Sequence, residues 1–139
     1  MTKLSTDITW TSGMAFKAIV DGHTIVLDAA ENHGGMDQGP RPKPLLLASL
    51  GGCTGMDVVA ILKKMRIAPE YFNVKVEGEV TDEHPKQYTR IHLTYEFRGK
   101  DLPLDQLRKA VDLSQEKYCG ISATLKKAVE ITSEIRILQ

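Results

Sequence analysis

Only two of the 139 residues are cysteine, and no CxxC occurs, so a disulfide scaffold, a zinc knuckle and a thioredoxin-type dithiol motif all lack the residues they need. There is no excess of either charge. Eighteen basic and eighteen acidic side chains cancel, which leaves no electrostatic footprint for nucleic acid or an anionic membrane. The histidines, His23, His33, His84 and His92, form no HxxxH or HxH pair, and the expectation is no metal and no bound cofactor. Met-Thr-Lys-Leu-Ser is not followed by an apolar stretch, so no signal peptide and a cytoplasmic protein are expected. A reducing compartment argues in turn against a permanent disulfide. No internal repeat and no composition break appear, and 139 residues with 42% apolar content suit one domain spanning 1–139, large enough for a core of its own.

What is present is one long apolar run, Leu45 to Leu62. It reaches the ~18 residues at which a membrane span must be considered. It also contains Ser49, Gly51, Gly52, Thr54, Gly55 and Asp57, and an aspartate near a bilayer centre costs roughly 3 kcal/mol. The expectation is therefore a buried core helix rather than a span. Apolar residues occupy nearly every face from Leu45 to Met65, so this helix is expected to be surrounded by protein.

Strands flank it. Residues 5–12, then Met14–Val20, then His23–Ala29 read as a three-stranded antiparallel meander, with Asp21-Gly22 as a type I′ turn. Residues 31–43, rich in Gly and Pro, lose all periodicity and read as a loop, mobile in part. Pro44 suits the first turn of the helix. Val74, Val76, Gly78 and Val80 alternate with charged residues, as do Thr89, Ile91, Leu93, Tyr95 and Phe97, giving an antiparallel pair joined through 82–86. A helix follows from Pro103 to about Tyr118, a short helix from Ile121 to Ala128, and a last strand from Val129 to Ile137. The order β-β-β-α-β-β-α-α-β argues an α+β fold.

The chemistry rests on the two thiols. Cys53 lies inside the apolar helix and Cys119 where the second long helix ends. On residues alone, Cys53 is either a small packing hydrophobe or a protected nucleophile.

The run Gly39-Pro-Arg-Pro-Lys-Pro-Leu-Leu-Leu-Ala-Ser-Leu-Gly-Gly-Cys-Thr-Gly-Met-Asp-Val-Val and the later Lys117-Tyr-Cys-Gly-Ile-Ser-Ala-Thr-Leu resemble the osmotically inducible protein C and organic hydroperoxide resistance (OsmC/Ohr) superfamily. The Gly-Gly-Cys-x-x-x-Asp-Val-Val form is similar to its less characterised branch. The resemblance covers nearly the whole chain and implies an intertwined homodimer, in which two long apolar helices pack together and antiparallel sheets wrap them. Gly51, Gly52 and Gly55 would then permit close helix approach, or else tight packing within one chain.

The resemblance further implies a thiol peroxidase of oxidative stress defence, acting on organic hydroperoxides or hydrogen peroxide. Cys53 would form the sulfenic acid and Cys119 would resolve it to a disulfide, which an external dithiol or thiol reductant restores. Arg41 is the candidate for stabilising the thiolate. In the family a glutamate commonly holds that arginine, but its position is Lys43 here, and Glu31 is the only glutamate upstream of Cys53. Asp57, one turn after Cys53, would raise the thiol pKa if close, or else accept hydrogen bonds at an interface. Ser122 would help to cap the short helix. Two alternatives are a non-enzymatic binder of a small hydrophobic or acyl ligand and a redox-sensing stress-response dimer.

Overall fold

Alternation in the first thirty residues produces an antiparallel meander, β1 (Asp7–Ser12), β2 (Ala15–Val20) and β3 (His23–Leu27), in the computed structural model, which describes all 139 residues. Asp21 and Gly22 both take positive φ, 50° and 79°, as the type I′ turn requires. This sheet belongs to the first of two compact units, Met1–Leu46; the second is Leu47–Gln139.

The stretch after β3 has more internal order than its composition suggests. Asp28 is buried, and its carboxylate accepts hydrogen bonds from the backbone N–H groups of Ala29 (2.7 Å), Met36 (3.1 Å) and Gln38 (3.1 Å). Its own N–H donates to the Pro40 carbonyl. Residues 29–40 therefore fold back over one carboxylate instead of forming the mobile loop expected. A Cβ at position 39 would fall 1.9 Å from the Val26 carbonyl oxygen, so the chain approaches β3 there more closely than any side chain permits.

Helix α1 (Pro42–Lys64) carries the apolar run. It is long and apolar enough to cross a membrane by length and composition. Leu50, Thr54, Val58 and Leu62, four residues apart, form its buried stripe and join the core of the second unit. The expectation of protein on every side is not met within one chain, because Met56 is 76% exposed and Val59 53%. The glycines divide in the same way. A Cβ at Gly51 would sit 3.0 Å from the Val76 side chain and one at Gly55 3.6 Å from Val74, so both serve packing inside the chain. Only Gly52, with nothing within 4 Å of a Cβ built there, lies on the open face.

The second unit's sheet has the order β4 (Tyr71–Val80), β5 (Tyr88–Arg98), β6 (Glu130–Ile137). β4 and β5 pair antiparallel as expected, but β6 joins β5 in parallel, so this sheet is mixed rather than antiparallel. The helical crossover between β5 and β6 returns the chain to the end where β5 began, which a parallel partner requires. Central β5 buries Ile91, Leu93, Tyr95 and Phe97 on one face, and Phe97 stacks on Phe72 at 4.6 Å between ring centroids. Thr89, expected on that face, is exposed.

The crossover itself departs from a plain helix. α2 (Leu104–Leu113) passes into a π-helical turn, Ser114–Tyr118, which ends with the Cys119 N–H donating to the Ser114 carbonyl at 2.8 Å. Short helix α3 (Gly120–Leu125) follows.

The three N–H donors on Asp28, Ala29 first among them, hold its carboxyl below the ordinary 3.8, aided by Arg41 and opposed by burial. The stability this gives is present above pH 3.8 and is lost as pH falls through the lower folded-state value. Urea unfolding should find the Asp28→Asn variant less stable than the parent near neutral pH. The difference should close in the acid range below 3.8.

Candidate active site

Thr54 and Ser114 bring polar groups into an apolar core, and each must find a partner there. Both are fully buried, as is Tyr95. The Thr54 hydroxyl lies 2.6 Å from the Tyr95 hydroxyl and 2.7 Å from Ser114 Oγ, and Ser114 Oγ donates to Asp57 Oδ2 at 2.9 Å. A carboxylate only accepts, so the direction of each bond follows. Ser114 donates to Asp57, Thr54 donates to Ser114, and Tyr95 donates to Thr54. Gln115 Nε2 donates to both Thr54 (3.1 Å) and Tyr95 (3.0 Å), while its Oε1 accepts from Ser122 Oγ at 3.1 Å. Burial pushes the Tyr95 phenol up to about 12, which keeps it a donor. The result is a one-directional hydroxyl chain ending on Asp57, with no buried side-chain polar atom left unpaired.

This chain positions both cysteines. Cys53 and Asp57 are four residues apart on α1 and so share a face. The π turn and the start of α3 carry Cys119 to the same place. The Cys53 sulfur, the Cys119 sulfur and an Asp57 carboxylate oxygen all lie within 4.8 Å of one another. Both thiols are free; Cys53 is half-buried and Cys119 is buried. The Cys119 sulfur accepts from the Ser122 N–H at 3.4 Å and thereby caps α3. The expected helix cap is thus the cysteine itself, and Ser122 turns its hydroxyl to Gln115 instead.

Electrostatically the cluster favours the neutral thiol. Burial pushes the Cys53 thiol above its ordinary 9.0, and Cys119 and then Asp57 add to that. The Ile121 backbone N–H, directed at the thiol, opposes them. Asp57 thus takes both roles considered for it, hydrogen-bond acceptor and like charge beside the thiol.

Arg41 belongs to the first unit, where its guanidinium Nη1 donates to Asp37 Oδ1 and to the Gly39 carbonyl. The carboxylate that holds the arginine is therefore an aspartate four residues before it. A search for a glutamate at 43 or 31 passes over it. Also missed in the sequence were Thr54, Tyr95, Ser114 and Gln115, because ordinary polar residues at irregular spacing give no motif; Thr54, next to Cys53 in an apolar helix, was the one legible hint.

The thiol titration has a defined order of effects. Alkylation of Cys53 followed against pH should give a midpoint above 9.0. Cys119→Ser should lower it more than Asp57→Asn, because Cys119 contributes more to the rise. A midpoint below 9.0 in the parent would contradict this electrostatic picture.

Comparison with known proteins places the chain in a family. The profile described as OsmC-like protein matches residues 34–134. Protein YhfA of Escherichia coli K12 is 37% identical over 132 residues, covering 94% of this chain and 96% of its own. A crystal structure of a hypothetical protein from Aquifex aeolicus superposes with a TM-score of 0.83 at 30% identity, covering 100% of both chains. An organic hydroperoxide resistance protein from Legionella pneumophila shares the fold, with a TM-score of 0.68 at 15% identity over 98% of this chain and 99% of its own. The chain belongs to the OsmC-like protein family.

Proposed function

We propose that this protein is a thiol-dependent peroxidase that reduces organic hydroperoxides or hydrogen peroxide, with Cys53 as nucleophile and Cys119 as resolving thiol. The observation that carries the reading is the approach of the two sulfurs to within 4.8 Å, one half-exposed and one buried. The Cys53 thiolate attacks the distal peroxide oxygen, the O–O bond breaks, and the departing alkoxide takes a proton to leave as alcohol. Cys53 is now a sulfenic acid. The Cys119 thiol displaces its hydroxyl, releasing water and forming a disulfide, for which the sulfurs close to about 2.0 Å. An external dithiol then reduces that bond by exchange and is itself oxidised.

The thiolate needs a counter-charge, because burial, Cys119 and Asp57 all disfavour it. We assign that role to Arg41, whose orientation Asp37 fixes. We further propose that the active form is a cytoplasmic homodimer. The open face of α1, with Gly52, Met56 and Val59, is the surface that a second copy's helix would cover.

A second reading is favoured by one feature of the first unit. An open groove of about 410 Å³, lined by Ile8, Met14, Phe16, Leu27 and Pro42 with Asp28 and Arg41 beside them, has the apolar walls to hold an acyl chain. On that reading the protein binds an acyl ligand without turnover.

Consumption of cumene hydroperoxide with dithiothreitol separates the two. The parent should turn over many times, and Cys53→Ser should fall to the uncatalysed reaction of peroxide with reductant. Without reductant, Cys119→Ser should accumulate a sulfenic acid that dimedone traps. Unchanged consumption by Cys53→Ser would refute the peroxidase reading. A parent that shows no turnover but co-purifies with an apolar ligand would establish the second.

A further inference from the structure

Cys53, Asp57 and Cys119 place two sulfurs and a carboxylate oxygen within 4.8 Å of one another, and two of the three, Asp57 and Cys119, are oriented by a hydrogen-bond donor. Asp57 Oδ2 accepts from Ser114 at 2.9 Å, and the Cys119 sulfur accepts from the Ser122 N–H at 3.4 Å. A carboxylate that accepts one such bond still has a second oxygen with which to ligate a cation. Donors of this kind, directed at the ligating atoms from the next layer out, are what fix ligands in metal sites.

We propose that the reduced cluster is a binding site for a thiophilic divalent cation, zinc by its chemistry, with Cys53, Cys119 and Asp57 as its three protein ligands. Two thiolates select a borderline-soft metal over magnesium or calcium, which prefer all-oxygen sites. In a tetrahedral zinc site with bonds of about 2.3 Å the two sulfurs stand about 3.8 Å apart. The observed spacing, no more than 4.8 Å, is close to that. The half-exposed Cys53 provides the way in, and the fourth position is left to water or another small ligand. The same closeness that makes the three groups repel one another as anions is relieved by a dication between them.

The site exists only while both thiols are reduced, since a disulfide consumes both sulfur ligands. Metal and peroxide therefore compete for one pair of thiols, a consequence that rests on the peroxidase reading, whereas binding itself does not.

Titration of the fully reduced protein with zinc by calorimetry, and with cobalt(II) by absorption, tests the site. One metal per chain is expected, with proton release and thiolate-to-cobalt charge-transfer bands. Cys53→Ser and Cys119→Ser should each abolish those bands, and peroxide-oxidised protein should show none. Ser114→Ala, which leaves all three ligands in place, should weaken binding by about tenfold to a hundredfold through loss of the bond to Asp57. Circular dichroism of each variant confirms that it is folded. Zinc should also protect both thiols of the parent from alkylation, a readout that needs no variant. No binding by the reduced parent, or binding that survives loss of both cysteines, would overturn the proposal. Metal binding without peroxide turnover would leave it standing and remove only the competition. Turnover without metal binding would overturn the proposal and leave the peroxidase reading standing.

Discussion

The need to satisfy three fully buried hydroxyls is the constraint on which the site depends. Thr54, Tyr95 and Ser114 come from α1, β5 and the π turn. Leaving a buried hydroxyl unpaired costs about 1–3 kcal/mol, so the three elements can pack well only where their hydroxyls meet. Once they do, the bond from Ser114 draws in Asp57, and the bond between Gln115 and Ser122 draws in the start of α3. The two sulfurs are brought together as a result. A π turn contributes to this, because the Cys119 N–H bonds five residues back rather than four, shifting the side chains that follow it around the helix axis.

Most of the fold was legible because it rests on periodicity. Alternation located the strands, the Asp21-Gly22 pair located its turn, and the apolar run located α1. Three things were not legible, each for a physical reason. The parallel pairing of β6 follows from the path of the crossover, and alternation in a strand is blind to the direction of its neighbour. The order of residues 29–40 comes from backbone N–H groups converging on Asp28, and backbone groups leave no mark in side-chain patterns. The exposed face of α1 is apolar, so composition predicted burial that a single chain does not supply.

The two cysteines of the candidate site were legible in the sequence, and their surroundings were obscure. Cys53 and Cys119 stand 66 residues apart, and only the family resemblance linked them before their sulfurs were seen to converge. The charged groups around them were harder to read. Asp37 is the carboxylate that pairs with Arg41, and Asp57 lies beside the two thiols.

The central claim is that Cys53 and Cys119 act as one redox unit, and peptide mapping of the parent after a single equivalent of hydroperoxide tests it most directly. The account predicts a Cys53–Cys119 disulfide within one chain, seen as the loss of two hydrogens, formed before any higher oxide of Cys53. Recovery of Cys119 as a free thiol beside a sulfinic Cys53, or of both thiols unchanged, would contradict it.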